Sequence, residues 1–338
     1  MKKEYYVLFI FICYFITLLC VSCSKLGYES DTIQIGVNEW TGYDPLILAD
    51  QMSFFEKNDV NVDIIRFRSA KEEKDAFKNN KLQGAAFTLD EVFSLVSNGF
   101  KGKVVLIVDY SMGGDMLIGQ HDVRSISDLE GKTVGYEGSL VGEFLLDRAL
   151  QANQIRKTSI KLVDVNADKW ITAFKEKKVD ALVCFNPVAT ILIDDENGNL
   201  LFSSADIPFE IIDVLIFSES FYNNNKTAIT KILKTWFDAL KYINTNLDKA
   251  AELIASIKKI DADDYKKGLN NLIAPDLKVN RSVFNPQSEK NIYKYSQIII
   301  NFMISKGLLS QRINTTNLFQ SEILSALEHI NHNSGDIK

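Results

Sequence analysis

The chain has 338 residues, enough for one large or two ordinary domains with a substantial core. Hydrophobic residues make up 46% and charged residues 24%, a globular balance that excludes an intrinsically disordered chain. The formal net charge of −6, with no long basic stretch to offset it, argues against a nucleic-acid partner.

The N-terminus reads as a separate object. "MKKE" is a positive start, Tyr5 to Leu19 is an uncharged apolar run, and "CVSC" closes it with small residues. That is the layout of a secretory signal peptide over residues 1–23, to be left out of the fold. The run falls short of the ~20 residues that span a bilayer core. Val21, Ser22 and Cys23 resemble a bacterial lipobox, with Cys20 where leucine is usual. The expectation is lipidation of Cys23, which holds the protein at a membrane surface without spanning it. Of four cysteines only Cys184 then remains in the mature body, in the apolar strand "ALVCF", as a buried structural thiol with no disulfide or zinc partner.

From residue 32 the pattern alternates strand and helix. "TIQIGV" is a strand and 45–57 a helix. "VNVDIIRF" (60–67) is a strand, then come the helix "AKEEKDAFKNN", the strand "QGAAFT" (83–88), the helix "LDEVFSLVSNG" and the strand "KVVLIVDY" (103–110). A second set starts over with the strands "DMLIGQ" and "TVGYE", the helix "SLVGEFLLDRALQAN", "IKLVDV", the helix "ADKWITAFKEKK" and "VDALVCF". After "EIIDVLIFSESF" (210–221) the chain is helical, with 226–256 one helix or a closely joined pair and further helices over 286–306 and 318–332. Such alternation predicts an α/β protein of mostly parallel sheets flanked by helices. Two α/β units and a helical tail suit two lobes, with the tail packed back on lobe 1. The predicted division is 31–112 and 217–338 for lobe 1 and 113–216 for lobe 2. The chain then crosses between lobes twice, at "DYSMGGDML" and "EIIDVLIF", where Gly113 and Gly114 ease the backbone.

Ligands of open α/β sheets sit in the loops after strands. Thr88, three residues before Glu91, reads as a capping box, and Ser139 and Ser69 read as caps of their helices. Hydroxyl-capped helix starts facing one cleft suit an anionic or polar ligand. Trp40 and Tyr43 flank Gly42 in the first such loop, where they can wall a pocket, and loss of Trp40 should then leave the melting temperature of the unliganded protein nearly unchanged. Phe185 and Asn186 end a strand from which they can reach the cleft. Trp170 and Trp236 fall at core positions. No G-x-S-x-G, Walker A, HExxH or CxxC is present, and nothing assembles a nucleophile with a base, so neither an enzyme nor a metal or cofactor is expected.

"EWTGYDPLILAD", "AAFTLDEVFSLVSNG", "KVVLIVDYSMGGD", "SISDLEGKTVGYEGSLVGEFLL", "VDALVCFNPVA" and "IIDVLIFSESF" follow one another in an order that resembles the solute-binding proteins of ABC importers. The closest group is the nitrate, sulfonate, taurine and thiamine-precursor class, and the resemblance covers about 32 to 260. It implies a type 2 periplasmic-binding-protein fold, a lipid-anchored location outside the inner membrane, a permease partner, a monomer and a small polar or anionic solute. As a site it implies Trp40, Thr41, Gly42, Tyr43, Thr88, Ser111, Asp115, Ser139 and Asn186, beside Ser69 from the reading above. "RSAKEE" lacks the glycine-rich turn of many sulfonate binders, and "FNP" stands where an acidic residue before proline is more usual. The alternatives are an enzyme like the fungal pyrimidine-precursor synthases on the same fold, which depend on a histidine and clustered cysteines, and a binding subunit for a separate sensor.

Overall fold

The computed structural model describes residues 32–333. The expected signal peptide and Cys23 lie outside the described residues. The first series runs β1 (Ile33–Val37), a 3-10 turn over Thr41–Tyr43, α1 (Asp44–Gln51), α2 (Phe54–Lys57), β2 (Val62–Arg66), α3 (Ala70–Lys78), β3 (Gly84–Thr88), α4 (Leu89–Ser97) and β4 (Gly102–Ser111). Pro45 opens α1, where a missing N–H costs nothing. Ser53, in the left-handed region, splits the helix expected over 45–57 into α1 and α2.

The second series is β5 (Asp115–Gly119), β6 (Thr133–Tyr136), α5 (Leu140–Ala152), β7 (Lys161–Asp164), α6 (Trp170–Lys175), β8 (Ala181–Phe185), α7 (Val188–Asp194) and β9 (Asn199–Ser203). β10 (Ile212–Ser218) leads into α8 (Glu219–Asn224), α9 (Lys226–Thr245), α10 (Leu247–Lys258), α11 (Ala262–Leu269), β11 (Leu272–Ile273), α12 (Leu277–Phe284), α13 (Ile292–Ser305) and α14 (Glu322–Asn333). The helical stretch 226–256 is therefore a joined pair. α7, β9, β11, α11 and α12 are additions to the elements read from the sequence.

The strands form two sheets, one ordered β11-β4-β10-β3-β1-β2 and one ordered β7-β6-β8-β5-β9. They are mixed, where mostly parallel sheets were expected. β1 is parallel to β2 and β3, and β6 to β7 and β8. β10 runs against β3 and β4, and β5 against β8 and β9. The reason is the connections. A helical crossover returns the chain for a parallel strand, but β4 passes to β5 directly and β9 to β10 through only a 3-10 turn over Ser204–Asp206, as the two links between sheets. The returning strand β10 therefore lies antiparallel beside β4.

Packing follows the pleat. In β5, Leu117 faces one core with Phe144, Leu145 and Val183, while Met116 and Ile118 face the other with Trp170, Phe174, Leu182 and Cys184. Burial pushes the Cys184 thiol's pKa up, as suits an inert core residue. The core of the first sheet takes in Trp236, Ile254, Ile300 and Leu324, so the C-terminal helices pack on the first lobe as expected. They also reach the second: Phe302 of α13 meets Phe144 edge-on at 4.6 Å, and Lys306 lies 3.5 Å from Asp147. Among the described residues no helix is long and apolar enough to cross a membrane.

One buried ion pair ties the start of α1 to the end of α10: Lys258 Nζ lies 2.7 Å from Asp44 Oδ1, both side chains almost wholly covered. Lys258 also donates to the Glu39 carbonyl. Removing one member of such a pair strands the other charge. Lys258→Met should cost about 3–5 kcal/mol and lower the urea midpoint accordingly, while Asp44→Leu added to it should restore most of the loss. A single-variant loss below about 1 kcal/mol would show that Asp44 relaxes to solvent.

Candidate functional site

The corner between β1 and α1 spends every side chain on another element. Trp40 Nε1 donates to Asp109 Oδ2 of β4 at 3.0 Å. Thr41 Oγ1 donates to the Asn186 carbonyl, just past β8, at 3.3 Å. Tyr43 Oη donates to Asp213 Oδ1 of β10 at 2.5 Å. Gly42 lies directly beneath the Trp40–Asp109 bond, and a Cβ there would strike both partners. Gly114 is equally constrained, because the Trp40 ring lies against it.

Above this corner is a narrow cavity between the sheets, with a volume of about 30 Å³. Its walls come from both sides of the crossing. Asn38, Trp40, Tyr43, Arg68, Ser69, Ala70, Thr88, Glu91 and Asp213 belong to the first sheet's lobe, and Asp115, Glu137, Val141 and Phe185 to the second. Phe185 meets the Trp40 ring edge-on at 5.7 Å and backs onto Trp170 at 4.8 Å.

The lining is acidic. Glu91, Asp115, Glu137 and Asp213 border the cavity, and Asp109 stands directly opposite Asp213 in the β4–β10 ladder. Like charges so placed repel. Burial pushes the Glu91 carboxyl up to about 7 against the pull of Lys74, whose Nζ is 3.6 Å away. Burial and then Glu91 push Glu137 up to about 8. Asp115 rises to about 6, again through burial. Asp109 and Asp213 are both raised by burial, Asp213 also by Asp109, while the Trp40 and Tyr43 donors pull them back.

Of the residues singled out in the sequence, Trp40, Tyr43, Ser69, Thr88 and Asp115 line the cavity. The others hold the frame. Thr41 and Gly42 lie at the corner. Ser111 Oγ meets Ser204 Oγ at 2.7 Å and accepts from the Asp115 amide, joining the two crossings. Ser139 caps α5 by accepting from Gly142, and Asn186 accepts from the Thr190 hydroxyl inside the fold. Ser69 caps α3 through Glu72.

Thr88 occupies the N-cap position of α4 without a capping bond. The expected box with Glu91 is absent because both side chains border the cavity, where Thr88 Oγ1 and Glu91 Oε1 are buried without a hydrogen-bond partner. The expectation for Trp40 is also corrected. It is a cavity wall and at the same time a core residue, 5% exposed. Glu137 and Asp213 were missed, since an acid after one strand and one inside another carry no local signal.

Two sheets joined by two crossings around such a cavity define the two-lobed periplasmic-binding-protein fold. The sulfonate-binding protein SsuA from Xanthomonas axonopodis pv. citri, solved bound to MOPS, shares it with a TM-score of 0.73 at 14% identity over 87% of this chain and 100% of that one. The periplasmic nitrate-binding protein NrtA from Synechocystis PCC 6803 does so with a TM-score of 0.71 at 11% identity, covering 89% of each chain.

Within that fold the chain belongs to the NMT1-like family, whose pattern matches residues 27–258. A putative aliphatic sulfonates-binding protein of Bacillus subtilis is 21% identical over 95% of this chain and 96% of its own. A putative thiamine biosynthesis protein of Haemophilus influenzae is 21% identical over 89% and 95%. A putative ABC transporter periplasmic binding protein of Brachyspira hyodysenteriae is 20% identical over 69% and 72%.

Two outcomes follow. Trp40→Ala empties a core position and should cost about 3–5 kcal/mol in urea unfolding of the unliganded protein; a loss under about 1 kcal/mol would take Trp40 out of the core. The second concerns pH. A carboxyl whose folded pKa is raised stabilises fully below its ordinary pKa of about 4 and loses that contribution as pH rises through the folded value. With Asp115 near 6, Glu91 near 7 and Glu137 near 8, the melting temperature should fall between pH 5 and pH 8.5. Glu91→Gln should flatten the fall, and a melting temperature rising over that range would refute the assignment.

Proposed function

We propose that this chain is the solute-capturing component of an ABC importer. It holds a small polar solute in the cavity between its sheets and hands it to a membrane permease with no bond broken. It works as a monomer outside the inner membrane, tethered through a lipid on Cys23. The observation that carries this reading is the shared wall: residues of both series close on one cavity at the crossings β4–β5 and β9–β10. A ligand touching both walls favours the closed arrangement by the contacts it makes only there. The solute-binding role agrees with the name of the Bacillus relative, and the ABC-transporter setting with that of the Brachyspira relative.

Catalysis, suggested by the name of the Haemophilus relative, finds less support. Among the described residues no histidine or cysteine lines the cavity; Cys184 is sealed in a core and His121 is exposed at a surface turn. Mass spectrometry of small molecules released from natively purified protein tests the two readings. A binder yields one solute, chemically unchanged on re-incubation. At 100 times its Kd that solute should add about 2.7 kcal/mol to the stability of the stripped protein. Conversion of the solute on re-incubation would establish the enzyme reading instead.

A further inference from the structure

The cavity's charge goes beyond what the relatives' names suggest. Glu39, at its rim, is held by Arg66 at 2.9 Å. Glu91, Asp115, Glu137 and Asp213 remain on the walls, with Glu73, Asp90 and Asp109 in the layer behind. Among the described lining residues the one basic side chain is Arg68, which is exposed. Lys74 stands behind Glu91 rather than in the cavity. An anion there would meet carboxylates on both walls, opposed by the starts of α3 and α4 and by one solvent-screened guanidinium. Once Asp115, Glu91 and Glu137 are ionised, above about pH 8, partial helix charges do not outweigh their full ones in a buried site.

A second observation points inward. Thr88, 7% exposed, and Glu137 each have a buried oxygen without a hydrogen-bond partner at this cavity, and Glu91, 1% exposed, has at its Oε1 only Lys74 at 3.6 Å, beyond hydrogen-bond reach. Buried polar atoms in native proteins are almost always satisfied, so these call for polar groups brought by the ligand, and the two carboxylates, once ionised, accept only from donors such as N–H. Among the described residues no group of three or more His, Cys, Asp or Glu converges closely enough to hold a metal ion. Trp40, Tyr43, Phe185 and Val141 supply an apolar and aromatic wall suited to a carbon skeleton carrying positive charge.

We infer that the solute is a small organic cation, an ammonium, amidinium or guanidinium whose N–H groups donate to Glu91 and Glu137 while Trp40, Tyr43 and Phe185 cover its apolar part. This rests on the solute-binding reading of the same cavity. The raised carboxyls of Glu91, Glu137 and Asp115 fit it, since acids crowded without a counter-charge hold protons that a cation would displace.

The test is thermal melting of stripped wild-type protein at pH 8.5 against two series, methylguanidinium and 2-aminoethanol on one side, methanesulfonate and nitrate on the other. The expected result is a dose-dependent rise with at least one cation and none with the anions. Glu91→Gln and Glu137→Gln should each weaken that cation by at least about tenfold. A rise with an anion alone overturns the charge assignment and leaves solute binding intact. Unchanged cation affinity in both variants also overturns it. A rise with neither series overturns it too, and the solute released from native protein then decides whether the binding reading stands.

Discussion

Two acids placed face to face at the crossing between lobes are the constraint on which the rest of the site depends. Asp109 on β4 and Asp213 on β10 are direct partners in an antiparallel ladder, on the strands that leave and re-enter the first sheet. Their repulsion is held in check by two donors from one corner, the indole of Trp40 and the phenol of Tyr43. Gly42 follows from that arrangement, because the bond it underlies leaves no room for a side chain. The corner is thus a brace that spans strand, crossing and helix, with Asp44 and Lys258 extending it to the C-terminal helices.

The same brace forms the floor of the cavity, which couples stability to function. Burying carboxylates is unfavourable, and the structure concentrates them at the lobe junction instead of dispersing them. Such local cost is a common property of sites whose energetic deficit is relieved by a ligand. Here a bound cation would supply the missing counter-charge, so that closure around the solute stabilises both the cavity and the junction. The C-terminal tail adds an independent connection between lobes through Phe302 and Lys306 on α13 and its end, and through Lys267 of α11, 2.6 Å from Asp194 of α7.

Much of the site was legible in the sequence because aromatic and hydroxyl residues in loops after strands are conspicuous. Trp40, Tyr43, Ser69, Thr88 and Asp115 all reach the cavity. Thr41, Ser111 and Ser139 stand near it in the chain but spend their hydroxyls within the fold, and Asn186 spends its Oδ1 there on Thr190. Loop position alone does not separate the two groups, since the direction a side chain takes depends on what packs around it. Glu91 was visible only as one half of a capping box. Its turn into the cavity is a tertiary choice that overrides the local bond.

Composition and periodicity by themselves determined an α/β chain with two βα series and a helical tail, because hydrophobic spacing reports which face each element buries. They also determined that the post-β1 corner is unusual. Strand direction at the crossings, the opposition of Asp109 and Asp213, and the gathering of Glu91, Asp115, Glu137 and Asp213 around one cavity were decided only by the tertiary structure. These acids are spread along the sequence from residue 91 to residue 213, each unremarkable in its own segment. Charge acts through space, so the electrostatic character of the site exists only once both sheets are brought together.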